Sequence, residues 1–371
     1  MAHKTIYVTK PSLPPLDEFL PFLEEMWETK WLTNNGPFHQ KFEAELCRFL
    51  GIEYCSLFAN GTLALIIGLQ ALGISGEVIT TPFSFVATTH ALNWNGITPV
   101  FCDIESRTFN IDPDKIEPLI TDKTTAIMPV HVYGNPCDVN KIDTIAEKYH
   151  LKVIYDAAHA FNVKVNGNSI LNSGDMSILS FHATKVFHTF EGGAIVCNRK
   201  ELKDKIDFLK NFGFENEESV VGPGINGKMS EFNAALGLLQ LKYVHSEIEE
   251  RKKISDYYKS KLNNLSGITY IKEAEGVVNN YSYFPILIDP EKYGKSRDEI
   301  YDAFRKKNIY VRKYFFPLIS EFPIYRDLES ASPKYLNTAI NIGSQILCLP
   351  IYKSLEMKDV DEIIKELKGR I

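Results

Sequence analysis

The chain has 371 residues, 44% hydrophobic and 24% charged, with a net charge of −6. That is the balance of a soluble globular protein too long for one ordinary core, so two domains are expected. The negative charge speaks against a non-specific nucleic-acid binder, and no apolar run is long enough to span a bilayer. The six cysteines, Cys47, Cys55, Cys102, Cys137, Cys197 and Cys348, contain no C-x-x-C pair and read as buried thiols of a reducing compartment. The opening MAHKTIYVTK lacks the apolar centre of a secretion signal, so the expected location is the cytoplasm.

In chain order, ANGTLALIIGLQAL (59–72) predicts a loop entering an apolar helix. EVITTP is a short β-branched strand closed by proline, and SFVATTHALNWNG a helix ended by glycine. TPVFCDI and TTAIMPVHV are two more strands. DVNKIDTIAEKYH is an amphipathic helix with Ile142, Ile145 and His150 spaced around its turns. LKVIYDAAHA is a strand running into a loop, and MSILSFH and GGAIVCN are two further apolar strands. Such alternation predicts a mainly parallel sheet with helices on both faces, whose ligand sites gather at the carboxyl ends of the strands. Asp156, His159, Ser180 and Lys185 fall at or just after such ends, as do Ser84 and Phe85. From about residue 245 the texture changes. Residues 246–265 predict a long charged helix linking domains, YSYFPILID and NIYVRKYF are strands, and SLEMKDVDEIIKELKGRI is an amphipathic helix through Val360, Ile363, Ile364 and Leu367. The expected division is a large domain over 1–245 and a smaller α+β domain over 246–371.

Two motifs mislead. GPGING (222–227) matches G-x-G-x-x-G, and with Lys228 it nearly matches a P-loop, but Met229 stands where Ser or Thr is required and NEESVV before it is a poor strand. The loop can still offer backbone N–H groups to an anion. His182 and His188 flank Lys185 but are six residues apart with no cysteine pair nearby, so no metal site is expected.

The informative cluster has four parts. ANGT places Gly61 and Thr62 at a helix N-terminus, which favours an anion, although ordinary helix caps use the same residues. Phe85 follows a strand, where it either stacks on a flat ring or joins the core. Asp156 ends a buried strand, which is costly without a cation or donors. Ser180 and Lys185 precede EGG (191–193), whose glycines permit a tight return into the next strand. A lone lysine is ordinarily a surface residue whose stem covers apolar neighbours; one in a tight apolar site has a neutral amine that attacks carbonyls. One ligand satisfies all four parts. Pyridoxal 5′-phosphate needs phosphate donors, a stacking surface, a carboxylate at its ring nitrogen and a lysine at its aldehyde.

The series NGTLAL, TTPFSFVAT, DAAHA, SFHATK…EGG and NGKMSEFNAALG resembles, in order and over nearly the whole chain, the DegT/DnrJ/EryC1/StrS family of sugar aminotransferases. The resemblance implies a pyridoxal-phosphate-dependent transferase of fold type I, a homodimer with active sites at the subunit interface, and transfer of an amino group from L-glutamate to a keto sugar on a nucleotide, the cofactor cycling with its pyridoxamine form. It implies Lys185 condensing with the aldehyde and shuttling the proton, and Asp156 on the ring nitrogen. It implies His159 near the ring hydroxyl, Phe85 on the ring face, and Gly61, Thr62 and Ser180 on the phosphate. Asn226 or Lys228 would reach the phosphate or nearby groups from the partner subunit. Arg312 and Tyr314 in RKYFFPL, with His182 and His188, are the substrate-side candidates. SFHATKVFHTFEGGAI is most similar to family members that convert dTDP-4-keto-6-deoxy-D-glucose to dTDP-4-amino-4,6-dideoxy-D-glucose (viosamine type), for O-antigen and other surface polysaccharides. Amination at C3, a UDP- or GDP-linked sugar, and a cofactor-binding regulatory protein without turnover stay open as alternatives. Relatives that dehydrate a sugar carry histidine in place of the lysine, and Lys185 speaks against that chemistry.

Overall fold

The computed structural model describes residues 4–369. The chain opens with β1 (Ile6–Tyr7), α1 (Leu16–Thr29), α2 (Pro37–Leu50), β2 (Tyr54–Phe58), α3 (Gly61–Leu72), β3 (Glu77–Thr80), α4 (Ala87–Trp94) and β4 (Thr98–Phe101). There follow β5 (Thr124–Met128), α5 (Val139–Tyr149), β6 (Lys152–Asp156), the short β7 (Lys164–Val165) and β8 (Asn168–Ser169), β9 (Met176–Ser180), β10 (Gly193–Cys197), α6 (Lys200–Leu209) and α7 (Glu231–Leu262). The remainder holds β11 (Ile268–Tyr270), β12 (Val277–Val278), β13 (Phe284–Ile288), α8 (Pro290–Tyr293), α9 (Arg297–Lys306), β14 (Ile309–Tyr310), α10 (Asn337–Gln345), β15 (Ile346–Leu349) and α11 (Met357–Lys368).

Seven strands form the central sheet in the order β2-β10-β9-β6-β5-β3-β4. All run parallel except β10, which is antiparallel to both neighbours. Helices cover both faces, so these strands are almost wholly buried, as parallel sheets require. On one face, α1, α2 and the first half of α7 meet Leu57, Leu179 and Val196 of the sheet. On the other, α3 lies against Ile178 and Ile195, joined by Leu202 and Ile206 of α6. The α3 helix is apolar nearly all round because it is enclosed nearly all round. Asn60 starts it by accepting from the Leu63 N–H, and Gly73, at φ 70°, ends it.

A second packed region forms around the antiparallel sheet β11-β13-β15. Val360, Ile363, Ile364 and Leu367 of α11 are all buried there, each contributing about 1.5–3 kcal/mol by leaving water. The N-terminal segment joins this region: β1 pairs in parallel with β14, and Lys4 bonds Asp359 at 2.7 Å.

Three details differ from the periodicity. α5 ends at Tyr149, and His150 is its exposed left-handed cap at φ 54°; Ile142, Ile145 and Ala146 do the burying. NIYVRKYF contributes a regular strand only at Ile309–Tyr310, after which Arg312 makes a lone bridge to Cys348. The charged segment from residue 246 is the second half of α7, with no break at 245. Its Glu247 and Arg251 are buried and paired at 2.8 Å, and Arg251 also donates to the Ile351 carbonyl. Among the described residues no helix is long and apolar enough to cross a membrane.

Candidate active site at the strand ends

Strands β6 and β9 run parallel and end side by side at Asp156 and Ser180. Beyond those ends lies a cavity of about 270 Å³, walled by the start of α3, the start of α4, the loop after β9 and the aromatic residues Tyr283, Tyr314 and Phe315. The α3 terminus brings Gly61 and Thr62, whose N–H groups have no partner within the helix and face an anion favourably. A Cβ on Gly61 would come within 3.1 Å of the Ser180 Cβ, so glycine at position 61 lets helix and strand approach closely around the cradle. Gly193 allows this from behind: a Cβ there would lie 2.6 Å from the Gly61 nitrogen. Neither Gly192 nor Gly193 has positive φ. The EGG glycines therefore serve close approach rather than a tight return.

Asp156 is 5% exposed. Its Oδ2 accepts the Thr88 hydroxyl at 2.7 Å and its Oδ1 the Ala158 N–H at 3.0 Å. Burial pushes its carboxyl up, while Thr88, Ala158 and the charge of Lys185 pull the other way. Lys185 is half-buried and lines the cavity. Burial pushes it down to about 8, against the attraction of Asp156. His159 accepts the Tyr133 N–H on Nδ1 and stacks on Phe315 with the rings 8° from parallel. Burial, then the charge of Lys185, holds it neutral, far below the usual histidine value. Phe85, at the mouth, is 58% exposed although aromatic.

A flat, anionic heteroaromatic aldehyde fits this donor set. The set holds one anion cradle, one buried carboxylate held by a hydroxyl and an N–H, one desolvated amine and an unburied aromatic face. The residues fit pyridoxal 5′-phosphate. Among the described residues, no group of three or more His, Cys, Asp or Glu is arranged to hold a metal ion. In a larger cleft of about 540 Å³ at the β4 edge, Lys115 is paired with Asp103, Asp114 with Lys141, and Glu77 accepts from Thr121.

Of the residues singled out from the sequence, Gly61, Thr62, Phe85, Asp156, His159, Ser180, His182, Lys185 and Tyr314 line this one cavity. His182 sits at its mouth, with Nδ1 2.8 Å from the Thr184 hydroxyl and Nε2 3.6 Å from Glu191. His188 does not line it. This residue is 2% exposed beneath α7, 2.9 Å from the Ser12 carbonyl and 3.2 Å from Gln240, and anchors the N-terminal segment. Arg312 also stands outside, exposed and held by its backbone to Cys348. Asn226 and Lys228 lie on the loop beside β2 and do not line the cavity of their own chain, and Lys228 donates to Asn211 at 2.8 Å. Thr88, Tyr283, Phe315 and Glu191 line the cavity without having been assigned a part. Thr88 was within reach of sequence reasoning, one helical turn after Phe85; Tyr283 and Phe315 carry no local signature.

The DegT/DnrJ/EryC1/StrS aminotransferase family model matches residues 16–368. Two relatives are each described as a dTDP-4-amino-4,6-dideoxy-D-glucose transaminase. The one from Shigella dysenteriae is 52% identical over 98% of this chain and 99% of its own, and the one from Escherichia coli is 53% identical over the full length of both. Among solved structures, DesI in the presence of its TDP-sugar product superposes with a TM-score of 0.94 at 31% identity, covering 99% of this chain and 94% of its own.

Proposed function

The chain belongs to the DegT/DnrJ/EryC1/StrS aminotransferase family, and we propose that it moves the amino group of L-glutamate onto C4 of dTDP-4-keto-6-deoxy-D-glucose, giving dTDP-4-amino-4,6-dideoxy-D-glucose. The observation that carries the chemistry is the meeting of Lys185, Asp156 and the α3 N-terminus in one cavity. Family members of this kind depend on pyridoxal 5′-phosphate, which, when bound, supplies the carbonyl that exchanges the amino group and a ring that accepts electrons as a C–H bond breaks.

The residues of the chain do the rest. The N–H groups of Gly61 and Thr62, with the Thr62 and Ser180 hydroxyls, hold the phosphate. Phe85 would cover one ring face, Asp156 would pair with the ring nitrogen and keep its proton there, and His159 would donate from Nε2 to the ring hydroxyl. Lys185, neutral at a lower pH than a free lysine, would be the group that joins the cofactor aldehyde and would carry protons between it and Cα of glutamate, then C4 of the sugar. His182 and Tyr314 stand on the substrate side.

The proposal extends to a homodimer in which Asn226 or Lys228, neither of which lines the cavity of its own chain, would reach the phosphate in a second copy's site. Exposed Trp27, Trp31, Phe212 and Phe232 support it as apolar surface in need of cover. The division into parts 1–245 and 246–371, with the junction inside α7, the cytoplasmic location and a place in surface-polysaccharide (O-antigen) biosynthesis belong to the same reading.

The test is the visible spectrum of the protein loaded with cofactor. Glutamate should bleach the yellow band, and dTDP-4-keto-6-deoxyglucose should restore it. Restoration only by a 3-keto or a UDP- or GDP-linked sugar moves the substrate and keeps the chemistry. No response to any amino donor overturns the enzyme reading in favour of a regulatory, cofactor-binding protein.

A further inference from the structure

Thr88 is 1% exposed on α4, 68 residues from Asp156 in sequence, and its hydroxyl lies 2.7 Å from Asp156 Oδ2. That hydroxyl has a single proton and two acceptors in reach, the carboxylate and the Phe85 carbonyl at 3.1 Å. The shorter contact and the charged acceptor draw the proton to Asp156. The Ser84 hydroxyl, 5% exposed and 3.1 Å from the Thr88 oxygen, then donates to Thr88. A chain of two hydroxyls, Ser84 to Thr88 to Asp156, thus closes one side of the carboxylate while the Ala158 N–H holds its other oxygen. Both oxygens are fixed, and the plane of the group is set by two elements distant in sequence.

We propose that Thr88 is a positioning residue for the reaction: its hydroxyl, oriented by Ser84, holds Asp156 ionised and aimed so that the proton shared with the cofactor ring stays on the ring nitrogen. This inference rests on the reading of the site as a pyridoxal-phosphate site. It assigns a purpose to the pair that a helix-start hydrogen bond alone does not require. Such a bond would be satisfied by the Phe85 carbonyl, the weaker of the two contacts. Without the Thr88 donor, a carboxylate shut away from water is a stronger base and takes the proton from the ring.

The experiment uses cofactor labelled with ¹⁵N in the ring, bound to the full-length protein, read by the ¹⁵N chemical shift. In the wild type the shift should be that of a protonated ring nitrogen. Thr88→Val, which keeps the shape and loses the donor, should move the shift toward the neutral form and lower kcat about ten- to hundredfold, with KM for glutamate little changed. Thr88→Ser should keep the wild-type shift. Asp156→Asn serves as the parent control and should give the neutral form. A wild-type shift in Thr88→Val alongside a moved shift in Asp156→Asn overturns the role of Thr88 and leaves the site intact. An unmoved shift in Asp156→Asn overturns the parent reading of Asp156 instead. If Thr88→Val does not fold, Ser84→Ala decides: a partial move toward the neutral form supports the chain of hydroxyls, and a wild-type shift overturns it.

Discussion

The backbone N–H of Tyr133 donates to Nδ1 of His159 at 3.2 Å. An imidazole nitrogen that accepts carries no proton, and burial keeps the ring neutral, so the single proton is on Nε2. Tyr133 itself sits at φ 58°, an unusual conformation for a tyrosine that turns its N–H toward the histidine. The site thus contains a donor with a fixed tautomer, insensitive to pH over the working range.

His159→Gln keeps one acceptor and one donor and should retain kcat within about tenfold. His159→Phe keeps the ring and loses both, and should fall about a hundredfold. Steady-state kinetics of the two variants measure this. The acid limb of the pH profile should be the same for wild type and His159→Gln, because the neutral histidine does not titrate there.

The Lys185 amine, pushed down to about 8 by burial, is protonated below that value and nucleophilic above it. The rate at which cofactor-free protein captures pyridoxal phosphate should therefore rise with pH and level off above about 8, rather than climbing toward the ordinary lysine value of 10.5. Stopped-flow absorbance gives the profile. Lys185→Ala should bind cofactor without forming a borohydride-reducible bond and lose transamination by about 10⁴-fold; turnover near that of the wild type would remove Lys185 from its role.

Gly193→Ala places a methyl where the Asn60–Gly61 backbone now lies, 2.6 Å from the Gly61 nitrogen. Backbone cannot step aside as a side chain can. The substitution should lower stability by about 1–3 kcal/mol and weaken pyridoxal-phosphate binding more than tenfold by displacing the phosphate cradle. Urea unfolding and equilibrium dialysis separate the two effects.

Away from the site, Glu43 accepts from Lys203 at 3.0 Å, Lys210 at 3.3 Å and the Leu57 N–H at 3.0 Å, with His39 at 3.2 Å. Burial pushes its carboxyl up, but His39, Lys210 and Lys203 outweigh that and hold it well below the ordinary value of 4.5. A carboxylate depressed on folding stabilises the protein above its unfolded value and loses that contribution as pH falls through the folded one. Glu43→Gln should cost about 2–4 kcal/mol at pH 7, with the gap to wild type narrowing below pH 4.5. Denaturant melts across that range check it.

Much of this architecture could be read locally. The strand ends carrying Asp156 and Ser180 follow short apolar runs with clear stops, and Lys185 stands five residues beyond one of them. Their shared cavity follows from parallel strands, which all present the same end to the same side. What escaped depends on distance or on face. Tyr283 and Phe315 close the cavity from far along the chain, through packing that no short pattern encodes. His188 is three residues from Lys185, yet the loop turns it beneath α7 onto Ser12. The glycines of EGG read as a tight return into the next strand; the structure shows instead that Gly193 admits the backbone of Gly61 and that Gly192 meets Thr189 and Met229. The change of texture near 245 is a change of neighbours along one helix, from the central sheet to the C-terminal core.

That unbroken α7 has a mechanical consequence. Its first half is fixed against the sheet by Ala234, Leu238 and Leu239, and its second half is fixed in the other core by Ile254, Tyr258 and Leu262. At 32 residues it is a rod about 48 Å long, rooted at both ends. A tilt of a few degrees shifts each end by an ångström or two, whereas a free swivel about the junction would require the helix hydrogen bonds to break. Any relative movement of the two cores therefore has to be carried through this helix as tilt or bending.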